Sequence, residues 1–362
     1  MKRIVTLLAV MPMMALATTW YVNGSGGLDS NSGASASLAK ATIQAAIDAS
    51  ADGDTILVAP GTYAPITTDN KAITIKSLSG SLSTVIDGGG ISRCATLSAN
   101  GAPTYWISDE NNIAYRTVLK GFTIRNGYRP NERVDDSSGG GVIGGTLEDC
   151  IVQDCSAYGC GGCLGSLIKR CIITGNIADD DGGGVGHSVI YDSLIYGNRA
   201  NNSYGGKSGS GVSRSKLVNC TVTANVSVRN ESSSSWGPGA AVDYSAEAHN
   251  CIIYGNKFSD GLTIYNGHSA DVDEGTGEGS SLDNCYTSNP NFVDAANGDY
   301  RLAAGSPCID AGDNSYVTTS TDLDGNARIA NGAVDIGCYE YGSLSAVDSL
   351  ADGLVAYNEP YS

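Results

Sequence analysis

The sequence predicts an all-β fold: a right-handed parallel β-helix with a short N-terminal capping helix and a C-terminal closing module. Three observations predict it. A strand-like phrase recurs as RCIITGN (170–176), DSLIYGN (192–198), NCTVTAN (219–225) and NCIIYGN (250–256). Gly-rich lead-ins precede the repeats, as GGGV (139–142), CGGC (160–163), GGGV (182–185), GSGV (209–212) and, one residue out of register, PGAAV (238–242). The composition, with 48 Gly, 3 Phe and 16% charged residues, suits short strands and tight turns better than helices or disorder.

The register holds at several positions at once. Its first position is Leu119, Leu147, Ile168, Ile190, Leu217 and Ala248, so successive units are 28, 21, 22, 27 and 31 residues long. Three residues on stand Phe122, Cys150, Cys171, Ser193, Cys220 and Cys251. Two further come Ile124, Val152, Ile173, Ile195, Val222 and Ile253. Three more bring Gly127, Cys155, Asn176, Asn198, Asn225 and Asn256. The extra length falls between the Asn position and the next lead-in. A fixed phrase with insertions confined to one place is the mark of a solenoid, and its period of two is that of a strand. Stacked coils place equivalent residues about 4.8 Å apart. Cys150, Cys171, Cys220 and Cys251 then form an inward ladder of small side chains in which Ser193 substitutes. Asn176, Asn198, Asn225 and Asn256 form a turn ladder, hydrogen-bonded to one another on left-handed backbone. Right-handedness follows from the chirality of parallel crossovers.

The ends have their own signals. Lys2 and Arg3 precede an apolar run, Ile4 to Leu16, and a small-x-small site at Ala15-Leu16-Ala17. That is a secretory signal peptide over 1–17, too short and too broken by Pro12 to span a bilayer. The expected location is secreted or on the outer cell surface, with no transmembrane segment in the mature chain. Loss of Lys2 and Arg3 takes the net charge from −17 to −19, which argues against a nucleic-acid partner. The β-helix is expected over 18–288, with a capping segment at 18–60 and clear repeats at 119–256. Within the cap, Thr42–Ser50 carries apolar residues at 43, 46 and 47, a helical spacing. GDTILVAPGTY (53–63) reads as turn, strand, turn.

The lead-ins and I-x-G-N exits resemble the polymorphic outer-membrane-protein repeat of parallel β-helices, whose members are surface and adhesin-like proteins. The family's Phe before the Asn exit is absent, so the resemblance implies architecture and not a receptor. The N-terminal segment looks like the start of pectin-lyase-like β-helices, where a helix plugs the first coil. NPNFVDAANGDYRLAAGSPCIDAGDN (289–314) and TDLDGNARIANGAVDIGCYEY (321–341) resemble the choice-of-anchor Q domain, which closes bacterial exported β-helices. This places an end module at 289–341 and a polar tail at 342–362. In that family the positions of Cys308 and Cys338 are generally Ala, so two Cys imply a disulfide contributing about 2–4 kcal/mol. Two separate buried thiols are the alternative.

The pectin-lyase-like resemblance also implies an enzymatic alternative, a polysaccharide lyase or glycoside hydrolase. Its candidates are Asp180, Asp181 and His187, the last in GVGHS, similar to the Gly-His-Gly of polygalacturonases. The other polygalacturonase motifs are absent, and His187 aligns with Gly144, Gly165 and Arg214, which reads as an exposed turn. Lyase chemistry would need Ca²⁺ on several Asp beside a basic Arg. Arg170 and Arg214 project from the coils, with no Asp cluster expected on neighbouring coils. Asp322, Asp324 and Asn326 resemble half of a calcium loop, and Asp271 opens an acidic stretch; Ca²⁺ is the sole cofactor these residues suggest. Cys160 and Cys163 mimic a CxxC site, yet Cys163 falls on the inward Val position and no second pair completes a metal site. Cys155 and Cys160 are a candidate pair around one turn. Tyr128, Tyr158, Tyr204, Trp236 and Tyr244 flank the insertion loops, as rings that contact sugars or proteins would. The expectation is therefore an exported binding, adhesion or structural protein that meets a polysaccharide or cell-surface protein through its variable loops.

Overall fold

The computed structural model describes residues 17–69, 71–97, 117–129, 138–201, 209–228, 240–243, 246–259, 264–266, 271–272 and 281–342. One coil shows how the chain winds. Thr146–Glu148 lies on a first face, Ile151–Gln153 on a second, Ser156–Ala157 on a corner and Cys163–Leu164 on a third. Leu167–Lys169 then returns to the first face beside Thr146–Glu148. Repetition builds parallel sheets of ten, eight, six and seven strands in that order, which is a parallel β-helix. Among the described residues, two strand pairs are antiparallel: 257–259 with 264–266, and 292–294 with 299–302.

The pairing reproduces the sequence register residue for residue. Leu119, Leu147, Ile168, Ile190, Leu217 and Ala248 are successive partners on the first face. Ile124, Val152, Ile173, Ile195, Val222 and Ile253 are partners on the second. These inward residues are fully buried and merge into one core that reaches from Val22 to Val272. Cys163 stacks between Val142 and Val185 in that core, as its register requires.

The corners are held by side-chain ladders. At the Cys position, the Cys150 amide donates to Cys171 Sγ (3.4 Å), and the Cys171 amide to Ser193 Oγ (3.0 Å). Cys220 and Cys251 repeat this onto Cys251 Sγ and Cys285 Sγ, at 3.4 Å each. The rung needs a small side chain that accepts, which both Cys and Ser supply. The Asn rung differs from expectation. The amides of Asn176, Asn198 and Asn225 each donate to the side-chain oxygen of the next Asn, at 3.1, 3.0 and 2.9 Å. All four Asn are fully buried, and the left-handed residue is the one before: Gly175, Gly197, Ala224 and Gly255. That preceding residue absorbs the turn, so the Asn side chain points inward. The ladder ends where Asn256 donates its backbone and side-chain N–H groups to buried Asp271 Oδ1 (2.9 and 2.8 Å).

Helix α1, Ile43–Ala49, plugs the first coil with Ile43, Ala46 and Ile47. Thr42 Oγ1 caps its start by accepting from Ala45 N (3.2 Å). Lys71 Nζ closes its end, donating to the carbonyls of Ile47 (2.5 Å) and Ser50 (2.8 Å). No helix among the described residues is long and apolar enough to cross a membrane.

The C-terminal residues through 341 form a module that packs against the side of the coils. It docks on a second ladder, at the left-handed turn residues Asp192, Asn219, Asn250 and Asn284. Asn284 donates to Asn250 (2.8 Å), Asn250 to Asn219 (3.0 Å) and Asn219 to Asp192 (3.3 Å). The module joins three rungs of this row. Asn284 donates to the Ala311 carbonyl (3.2 Å), Asp313 exchanges hydrogen bonds with Asn250, and Thr319 Oγ1 donates to Asp192 Oδ2 (2.6 Å). Arg328, 1% exposed, pairs through Nε with Asp192 Oδ1 (2.8 Å) and through Nη1 with Glu340 Oε2 (3.0 Å).

All eleven cysteines are free thiols, which corrects two expectations. Cys308 packs with Ile252, Leu302 and Ile336, whereas Cys338 packs with Leu194 and Tyr300. Cys160 points away from Cys155, toward Gly182 and Gly186, where an added Cβ would meet its sulfur at 2.9 and 2.2 Å.

Candidate functional site

A cleft of about 520 Å³ opens between the coils and the module. Coil residues Lys76, Leu78, Leu82, Lys120 and Arg170 form one wall; Asp299, Arg301, Leu323, Asp324 and Tyr339 form the other. The repeat itself aligns the first wall. Lys76 and Lys120 are register partners on the outward side of the first face. Asp149 and Arg170 occupy the next turn positions at φ 53° and 49°, and Gly121 precedes them in the same row at φ 74°.

Most of the charge is paired. Lys120 Nζ lies 3.0 Å from Glu148 and 3.1 Å from Asp149, and Arg170 Nε lies 2.8 Å from Asp149. Across the cleft, Arg301 clasps Asp324 with two bonds (2.6 and 3.2 Å), and its guanidinium stands 5.7 Å over the Tyr339 ring. Burial pulls the Lys120 and Arg170 pKa values down, but the neighbouring carboxylates outweigh it and hold both above their ordinary values. The Asp324 bond does the same for Arg301. These three cations keep their protons at neutral pH, so none is set up as a general base. Lys76 is exposed and, among the described residues, makes no ion pair. Beside it, Leu78 and Leu82 are 56% and 50% exposed, an apolar patch under a charged rim.

Of the residues singled out from sequence, Arg170 and Asp324 line this cleft, and the other candidates lie elsewhere. Asp181 is enclosed, 3.2 Å from Arg214 Nη1, with burial pushing its carboxyl up to about 6 against that cation. His187 sits at the expected turn (φ 49°) but is 7% exposed, so the exposed-turn reading is corrected. Arg170 and Arg214 each meet a single Asp of the preceding coil, Asp149 and Asp181. Tyr158 is buried, and Tyr128 is half-buried and bridges to Ser156. The row of exposed rings therefore does not form through Tyr158. Tyr204, Trp236 and Tyr244 lie outside the described residues.

The half calcium loop is occupied by the protein. Asp322 accepts from the backbone of Asn326 (2.7 Å) and Glu340 (2.9 Å), and Asp324 holds Arg301. Asp310, Asp335 and Glu340 bring carboxylates together. There too, Asp335 accepts from the amides of Asp310 and Tyr341, and Glu340 from Ala330, Asp335 and Arg328. Sequence reasoning missed Lys76, Lys120, Arg301 and Tyr339. The matched IKS and LKG segments (75–77, 119–121) were the available signal for the first two.

No family model matches this chain, and no curated protein matches its sequence. Among solved structures, a pectate lyase, Pel9A, is similar over 91% of this chain and 97% of its own, at 14% identity and a TM-score of 0.37. A rhamnogalacturonan lyase aligns over 80% and 96% at 14% identity (TM-score 0.41). A pectin methylesterase aligns over 80% and 94% at 13% identity (TM-score 0.34). These likenesses carry no argument about this chain, whose fold is defined by its own strand pairing.

Proposed function

We propose that this chain is an exported β-helix protein that binds glycans in the cleft between its coils and its C-terminal module. The observation that carries the reading is the cleft: its volume of about 520 Å³ lies in the range of small-ligand sites. It offers fixed charged groups at its rim and apolar surface at Leu78, Leu82 and Tyr339. Sugar rings present hydrogen-bonding edges and apolar faces, and that mixture of walls suits them. Binding rather than turnover is favoured because the basic groups at the rim are held protonated and the carboxylates are held by cations. Calcium has no role in this reading, since Asp322 and Asp324 are already engaged by the chain. The leader-like segment at 1–17 supports export.

The test is a glycan array combined with a reducing-sugar and unsaturated-product assay. Binding is expected without product. Lys76→Ala and Leu82→Asp should each weaken it about tenfold or more, the worth of one desolvated contact. Turnover on any polysaccharide, lost on Asp181→Ala or His187→Ala, would replace this reading with the enzymatic one. Capture of a cell-surface protein, with no glycan bound, would replace the ligand.

A further inference from the structure

The second wall of the cleft belongs to a module whose attachment is electrostatically unbalanced. Around Arg328 lie the side chains of Asp192 from the coils and Asp322, Asp335 and Glu340 from the module, all at most 5% exposed. Asp324, Asp310, Tyr339, Cys338 and the Cys220 thiol complete the titratable surroundings. Asp324 is claimed by Arg301, and Asp310 is exposed. Among the described residues, one buried cation thus faces four buried carboxylates, a net charge of −3 if all are ionised. A low-dielectric site pays heavily for uncompensated charge and relieves it by taking up a proton. Asp192 joins the cluster only while the module is docked.

We propose that docking of the C-terminal module is proton-coupled, so that it clasps the coils more tightly, and closes the cleft more firmly, as pH falls from 8 to 5. The proposal rests on the cleft reading only for what it regulates. Glu340 is the group in play: burial pushes it up to about 7, against the amides of Asp335 and Ala330 and the charge of Arg328. Burial also raises Asp192, Asp322 and Asp335. A raised carboxyl contributes stability that is full below its ordinary value and is lost as pH rises through about 7. With Glu340 returning to its ordinary 4.5 on undocking, that group alone gives the closed state a gain of about 70-fold between pH 8 and 5.

Hydrogen exchange tests this without any ligand. Protection factors, corrected for intrinsic rates, are followed from pH 8 to 5 at residues 297–301 and 321–341, with the first-face strands as reference. Module protection should rise by tens of fold relative to the strands. In Glu340→Gln it should stay near the acid value throughout. In Asp192→Asn, which removes one of the four carboxylates around Arg328, the rise should move to lower pH. A wild-type module whose protection is flat or falls toward pH 5 overturns the proposal, as does an unchanged response in Asp192→Asn. Glycan binding is scored separately at pH 7. Its absence overturns the cleft reading and leaves the clasp standing, whereas a pH-flat module does the reverse.

Discussion

The coils and the module that flanks them bury polar groups by opposite means. In the coils each buried amide or thiol meets a near-identical group one rung along, so Asn176 is satisfied by Asn198 and Asn198 by Asn225. In the module every partner differs: Arg328 reaches Asp192, Glu340 and two backbone carbonyls, and Asp322 caps both a turn and Glu340 N. Repetition spreads the cost of burial over many equal bonds. The module concentrates it on one cation, and the comparison predicts where each region fails.

The largest effect should come from Arg328→Met. It leaves Asp192 and Glu340 buried without a counter-charge and should cost about 3–5 kcal/mol. In urea unfolding the module should separate from the coils as an earlier transition; a single unshifted transition would erase the distinction. Asn198→Ala strikes the coils. It removes the acceptor of the Asn176 backbone and side-chain N–H groups, at about 2–4 kcal/mol, with loss centred on neighbouring rungs in hydrogen exchange. Lys71→Met uncaps the plug helix, and a loss of about 1–2 kcal/mol should appear in its amide protection. Smallest is Cys171→Ser, under about 1 kcal/mol by thermal melting, because a hydroxyl can take the same bonds from Cys150 N and to Lys169 O. A larger loss there would mean that the thiol ladder depends on sulfur packing.

The same contrast explains what could be read from the sequence. The register of Leu147, Ile168 and Ile190, the inward Cys rung and the helix at Ile43–Ala49 follow from spacing alone, because their partners recur at regular intervals. The inward Asn was missed because Asn beside Gly commonly marks a turn, and nothing in the spacing says which of the two bends. Gly175, Gly197 and Gly255 do so, at φ 64°, 65° and 76°. The cleft was beyond reach for a different reason. Lys76 and Tyr339 face one space from opposite parts of the chain, joined by a docking that no periodicity encodes. Tyr158 was misplaced because flanking an insertion loop does not fix which way a ring points.

The run of amides ending on Asp271 has a direction. Each Asn is both giver and receiver, so any middle coil could be duplicated or excised as a whole and leave its neighbours' bonds intact. At Asp271 the acceptor is a carboxylate, which has no side-chain N–H to hand the run on. The repeated bond leaves the number of coils open in the middle of the molecule, and the amide relay changes character at that carboxylate.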